Sequence, residues 1–229
     1  GAVVVLDNAS GEVLAWIGSS GARWSDAAQV DAVLARRQPG STIKPFVYAL
    51  AFDQGLATPA SLLHDAPADL DGGSGAYMPR NYDHRYRGWV SARTALAASL
   101  NVPTARLAAL LGPQALFDHL QSAGLEPAYS GGHHGLALAL GSADVTLLQL
   151  TNAYRMLANG GRWSPVAHDA AQATPARRVF TPATAFQVGD ILADAGARAP
   201  TFGLDSALVT RGWAAVKTGT SKDMRDNWC

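Results

Sequence analysis

"PGSTIKP", residues 39–45, sets a serine at 41 and a lysine at 44 behind a proline and a glycine and ahead of a strongly apolar run. Ile43, Phe46, Val47, Leu50 and Ala51 recur at helical spacing, and Pro45 is tolerated because the first turn of a helix needs no amide donor there. The pattern predicts a helix with Ser41 at its N-terminus and Lys44 on the same face. The lysine is conspicuous: of 18 basic residues fifteen are arginine and only three are lysine, at 44, 217 and 222. A serine hydroxyl needs a base to become a nucleophile, and lysine serves only as the neutral amine. That requires drawing its pKa from about 10.4 toward ~7, at a cost of roughly 4 kcal/mol. Burial and a second cation both push in that direction. Arginine, effectively never deprotonated, cannot do this.

Upstream, "GAVVVLD" and "EVLAWIGS" are short runs rich in valine, isoleucine and tryptophan, joined by the turn residues "NASG", and read as an antiparallel hairpin. Downstream, residues 60–90 hold Gly, Pro, Asp and Tyr without period and read as ordered loop. Helical segments follow: 91–99, one opened by Pro103, one by Pro113, and 143–158 closed by "NGG". Strand-like pieces around 162–166 and 176–180 precede a helix opened by "TPAT", and "GWAAVKTG" at 212–219 reads as a strand. The fold class is therefore α/β (α+β). A sheet-side part, 1–40 and about 160–229, flanks a mostly helical part, about 41–159, that carries Ser41 and Ser99.

The chain of 229 residues is 48% hydrophobic, enough for one sizeable core. With 18 acidic and 18 basic residues the net charge is zero, so no global field recruits nucleic acid or an anionic membrane surface. The single cysteine, Cys229, excludes an internal disulfide and a cysteine-rich metal site. The six histidines show no metal-ligand spacing, so neither a metal nor another cofactor is expected. No apolar stretch approaches the ~20 residues that cross a bilayer.

Alone, a serine and lysine three apart say little: with three lysines and fifteen serines, chance supplies such a pair in roughly one sequence in five. Alone, too, Lys217 reads as a surface lysine at a strand end, and Ser99 with Asn101 as a helix C-terminal turn. But "SLN" at 99–101 and "KTGT" at 217–220 follow "STIK" in order. The three together are expected by chance on the order of once in a thousand sequences.

This trio is the signature of penicillin-binding proteins and class A β-lactamases. With its flanks, "RRQPGSTIKPFVYALAFDQGL", "RNYDHRYRGWVSARTALAASLNVPTARL" and "LALALGSADVTLLQLTNAYRMLANGG", the chain resembles the transpeptidase domain of a class A penicillin-binding protein, most like the 1C type. The resemblance runs from Gly1 to Cys229. It implies an antiparallel sheet covered by helices, with a membrane helix and a glycosyltransferase domain before Gly1, and further strands and a closing helix after Cys229. It also implies peptidoglycan stem peptides as substrate, β-lactam antibiotics as acylating inhibitors, and a location on the periplasmic side of the bacterial inner membrane.

Carried over by residue, the resemblance implies that Ser41 attacks the carbonyl of the penultimate D-alanine to form an acyl-enzyme, and that Lys44 takes the serine proton. Ser99 relays a proton to the leaving D-alanine. Asn101 hydrogen-bonds Lys44 and the substrate backbone. Lys217, Thr218 and Thr220 hold the terminal carboxylate, Gly219 leaves room for the peptide, and the oxyanion sits between the amides of Ser41 and Thr220. Tyr77, Asn81, Tyr82 and Trp89 either line a substrate groove or pack on the core, and Lys222 is a solvated loop residue. A β-lactamase or D,D-carboxypeptidase shares the trio but hydrolyses the acyl-enzyme, and the sequence offers no evident deacylating base. A silent interaction or β-lactam-sensing module is the alternative of another class.

Overall fold

The helix predicted behind Ser41 is the centre of the molecule. In the computed structural model, which describes residues 1–71, 76–167, 169 and 174–229, a 3-10 turn over Gly40–Ile43 leads into helix α1, Lys44–Asp53. Every residue of α1 from Lys44 to Phe52 is buried. A helix apolar all round belongs inside a protein, and α1 packs against four others. These are α2 (Ala92–Ala97), α3 (Asn101–Leu111), α4 (Pro113–Ser122) and, after the short α5 (Gly131–His134) and the longer α6 (Leu147–Ala158), helix α7 (Pro182–Ala193). Helix α8 (Ala195–Phe202) follows directly and lies against α2.

Strands β1 (Val3–Leu6) and β2 (Val13–Ile17) form the expected antiparallel hairpin, turned by an Asp7 carboxylate that accepts from both the amide and the hydroxyl of Ser10. Val4 and Leu6 alternate inward and β1 lies on α6, while Val3 and Val5 face out. The fold class is the predicted one, helices with antiparallel strands, and the strands pair as two-stranded ladders.

Residues 60–90 correct the reading as loop. Strand β3 (Leu62–Asp65) pairs with β6 (Gly88–Ser91), and between them β4 (Leu70–Asp71) pairs with β5 (Ala76–Tyr77). Strands of two to four residues are too short to display an alternation, and β3 finds its partner more than twenty residues away. Helix α3 starts two residues before Pro103, which sits harmlessly in the first turn. Helix α6 starts at Leu147 rather than 143, because Val145 is engaged in a backbone bridge with Arg37 and Thr146 then caps the helix in a reciprocal box with Gln149.

After β7 (Arg162–Trp163) and β8 (Arg177–Arg178), the strand expected over 212–219 is shorter than its composition suggests. Only β9, Gly219–Thr220, pairs, because its antiparallel partner β10, Asn227–Trp228, runs beside it for two residues. Upstream of it, Val216 instead donates its amide to the Leu192 carbonyl at the end of α7. Strand β9 lies directly on the Gly40–Ile43 turn, and the turn meets the 3-10 helix Gly135–Leu140. Three distant parts of the chain thus converge on Ser41.

Candidate active site

Ser41 is half-buried at the floor of a cleft of about 410 Å³ that is also lined by Ser99, Asn101, Thr218, Gly219 and Thr220. Its lysine partner lies beneath. Lys44 is 0% exposed, and its Nζ donates to the Ser99 carbonyl (2.6 Å) and to Asn101 Oδ1 (2.6 Å), with Ser99 Oγ at 3.4 Å. From the opposite wall Lys217, also buried, donates through Nζ to the same Ser99 Oγ (2.8 Å) and to the Thr218 carbonyl (2.8 Å). The two lysines thus meet at one hydroxyl. Among the described residues no hydrogen bond joins Ser41 Oγ to Lys44 Nζ; at rest the amine is turned toward Ser99 and Asn101.

Among the described residues neither lysine forms a salt bridge, and burial is the largest influence on both. It holds the Lys44 ammonium well below its usual pKa, and the Lys217 charge adds to the depression. Burial likewise pushes Lys217 down to about 7, with Cys229 pulling the other way and Arg198 adding to the fall.

Ser99 reaches both lysines because its backbone is left-handed, with φ of +60°. That conformation costs a non-glycine residue about 1–2 kcal/mol. It occupies the break between α2 and α3, where the amides of Ser99 and Leu100 close back onto Leu96 and Ala95. The carbonyl is thereby free to face Lys44.

Glycines let the three segments touch. Gly40 has φ of +54°, and a Cβ there would stand 2.2 Å from the Thr220 carbonyl oxygen. A Cβ on Gly141, with φ of +81°, would meet the Gly40 carbonyl at 2.2 Å, and one on Gly219 would meet the Pro39 carbonyl at 2.4 Å. Any side chain at these places has to part the Ser41 turn from β9 or from the loop after Leu140. On the far side, Trp228 Nε1 donates to the Gln38 carbonyl (3.0 Å) and ties β10 to the same turn.

A family model described as the penicillin binding protein transpeptidase domain matches residues 1–227. The chain belongs to this family. It is 36% identical over 230 residues to penicillin-binding protein 1C of Escherichia coli, covering 99% of this chain and 29% of that protein. Against penicillin-binding protein 1A of Neisseria lactamica it is 34% identical over 247 residues, covering 100% of this chain and 30% of that one. The chain thus spans about three tenths of the length of these curated relatives. A solved structure, a peptidoglycan glycosyltransferase from Burkholderia ambifaria, superposes with a TM-score of 0.68 at 25% identity, over 83% of this chain and 64% of that one.

The transpeptidase domain brings all eight residues singled out in the sequence, Ser41, Lys44, Ser99, Asn101, Lys217, Thr218, Gly219 and Thr220, to one cleft or to the layer just under it. Of the four groove candidates only Tyr82 lines the cleft. Trp89 stacks on His64 across β3 and β6, Tyr77 packs on the core, and Asn81 is buried at 3% exposure. Lys222 is exposed as expected, but it opens a short 3-10 turn, Lys222–Met224, rather than lying in irregular loop, and it lines the cleft. Leu140, Gly141 and Phe202 are among the lining residues that were not singled out; an apolar run and an isolated glycine carry no mark of the site they border.

Proposed function

We propose that this transpeptidase domain is a serine D,D-transpeptidase that crosslinks peptidoglycan stem peptides through an acyl-enzyme on Ser41 and is acylated by β-lactams. The observation that carries the reading is the convergence of two buried lysines, both with pKa values drawn down by burial, on a single hydroxyl beside the nucleophile. In this reading neutral Lys44 accepts the Ser41 proton as Oγ bonds to the penultimate D-alanine carbonyl carbon. The oxyanion forms between the amides of Ser41 and Thr220, at a helix start that favours negative charge. The carbon–nitrogen bond then breaks, and Ser99 passes a proton to the departing D-alanine. An amine from a neighbouring stem attacks the ester and regenerates Ser41.

Lys217, Thr218 and Thr220 hold the substrate carboxylate, whose charge draws a proton back onto Lys217, and Gly219 leaves space for the peptide to lie along β9. Residues 1–229 belong to one catalytic domain, with further strands and a closing helix expected after Cys229, and Ser41 lies where the helical part meets the sheet-side part. In the protein that carries it, we place this domain on the periplasmic side of the inner membrane beside an anchor and a glycosyltransferase domain; the relatives' greater length and the Burkholderia neighbour support that arrangement.

Intact-mass measurement after exposure to benzylpenicillin, followed by peptide mapping, tests the proposal. One drug-sized adduct on the peptide containing Ser41, persisting for hours, is the expected result. No adduct would overturn the proposal, and an adduct lost within seconds as hydrolysed drug accumulates would replace it with the hydrolase reading.

The shared hydroxyl also fixes the sign of a pH effect. Lys44 works only when unprotonated, so acylation falls as pH drops through its pKa. Lys217→Ala removes a neighbouring cation, which lets that pKa rise, and the acid limb of the acylation rate is expected to move to higher pH. The limb is followed with a fluorescent penicillin from pH 5 to 9. A limb that stays put would show that Lys217 only binds carboxylate.

A further inference from the structure

Asn101 is itself held in place. Its side-chain amide donates to the Arg80 carbonyl (2.7 Å) and its backbone N–H donates to Asn81 Oδ1 (2.9 Å), which also accepts from the Val102 amide (3.3 Å). These two amides open α3 and have no partner inside the helix. Asn81 is buried, and its nitrogen donates to both carboxylate oxygens of Asp65 (2.8 and 2.9 Å) and to the Arg85 carbonyl (2.8 Å). Asp65, at the end of β3, is 0% exposed, and its Oδ2 accepts the Arg87 amide as well (3.0 Å).

An asparagine amide can sit either way round in a slot of given shape. A carboxylate accepts only, so Asp65 obliges the Asn81 nitrogen to face it and turns the oxygen toward the start of α3. Among the described residues no lysine or arginine forms a salt bridge with Asp65. The buried carboxylate is held by neutral donors, the Asn81 side-chain amide and the Arg87 backbone amide, and it fixes their direction in return. What the charge supplies is a single orientation.

We infer that Asp65 and Asn81 are positioning residues for acylation: the carboxylate sets the Asn81 amide, Asn81 fixes the first turn of α3, and that turn holds Asn101 against Lys44. The inference rests on the function proposed above. It assigns to Asn81 a place beneath the cleft, next to the Tyr82 that lines it, and makes β3, far from the three sequence motifs, the support of the base.

The test is the limiting acylation rate of the protein carrying this domain at saturating fluorescent penicillin, per site labelled. Asn81→Ala is expected to lower that rate about tenfold while the half-saturating drug concentration changes less than about twofold. In an Asn101→Ala background the same substitution is expected to cost less than about twofold, because its route to Lys44 is already cut. A purely structural role would lower the amount of active protein, not the rate per site, and would be additive with Asn101→Ala.

Asp65→Asn keeps the shape and removes only the bias. It is expected to slow the limiting rate severalfold while thermal unfolding stays cooperative, and it decides the question if Asn81→Ala does not fold. Equal losses in both backgrounds, or an unchanged limiting rate in the variants, would overturn the inference. A native protein that fails to label at Ser41 would overturn the functional reading and this inference with it; a labelled native protein with additive variants would overturn this inference alone.

Discussion

Lys44→Arg is expected to acylate with penicillin about a thousandfold more slowly than the native domain, and no faster than Lys44→Ala. A positioned general base contributes ~10²–10⁴ in rate, and arginine supplies none of it because it keeps its proton at any pH the protein survives. Geometry points the same way. The Lys44 amine occupies a slot with no solvent exposure, bounded by the Ser99 carbonyl and Asn101 Oδ1 at 2.6 Å each, and a planar guanidinium is too wide for those two contacts. Conserving the charge therefore conserves nothing the site uses. Second-order acylation rates with a fluorescent penicillin settle the point, and a near-native rate for the arginine variant would place the base elsewhere.

Ser41→Ala is expected to abolish covalent labelling altogether while leaving thermal stability within about 0.5 kcal/mol of the native domain, the range of substitutions outside the core. Ser41 is half-buried at the cleft floor, and what anchors the turn is the backbone and its neighbours: Thr42 is buried, its hydroxyl donates to the Pro39 carbonyl (2.8 Å) and its carbonyl accepts from Tyr154 (2.7 Å). Losing one oxygen removes the chemistry and spares the fold. Intact mass after drug exposure, alongside a thermal melt, checks both halves. Undiminished labelling of the variant would remove Ser41 from the reaction.

The sequence made some of this legible and hid the rest for identifiable reasons. The first hairpin, α1, α4 and α7 announce themselves because their signals are local: β-branched runs around a turn, an apolar period, a proline at the first helical position. The ladders within 60–90 do not, since a strand of four residues is defined by its partner rather than its own pattern. Strand β9 failed in the opposite direction, its composition promising more pairing than β10 runs alongside to give. At the site, the three motifs were readable as words, but not the manner of their meeting. Lys44 and Lys217 reach Ser99 from 55 and 118 positions away, and the left-handed backbone that lets them do so leaves no trace in a serine's name. Asp65 was hidden more completely, since an isolated aspartate is among the commonest of surface residues, and Asn81 was read as a groove or core residue rather than as a support of α3.

Where Gly40, Gly141 and Gly219 bring three backbones together, no side chain stands between them to be exchanged. Selection acts on side chains, so the dimensions of the nucleophile's immediate surroundings are closed to gradual adjustment. Divergence among proteins sharing this arrangement has to be written on the perimeter, at positions such as Tyr82, Leu140, Phe202 and Lys222, which border the opening without bearing on that contact.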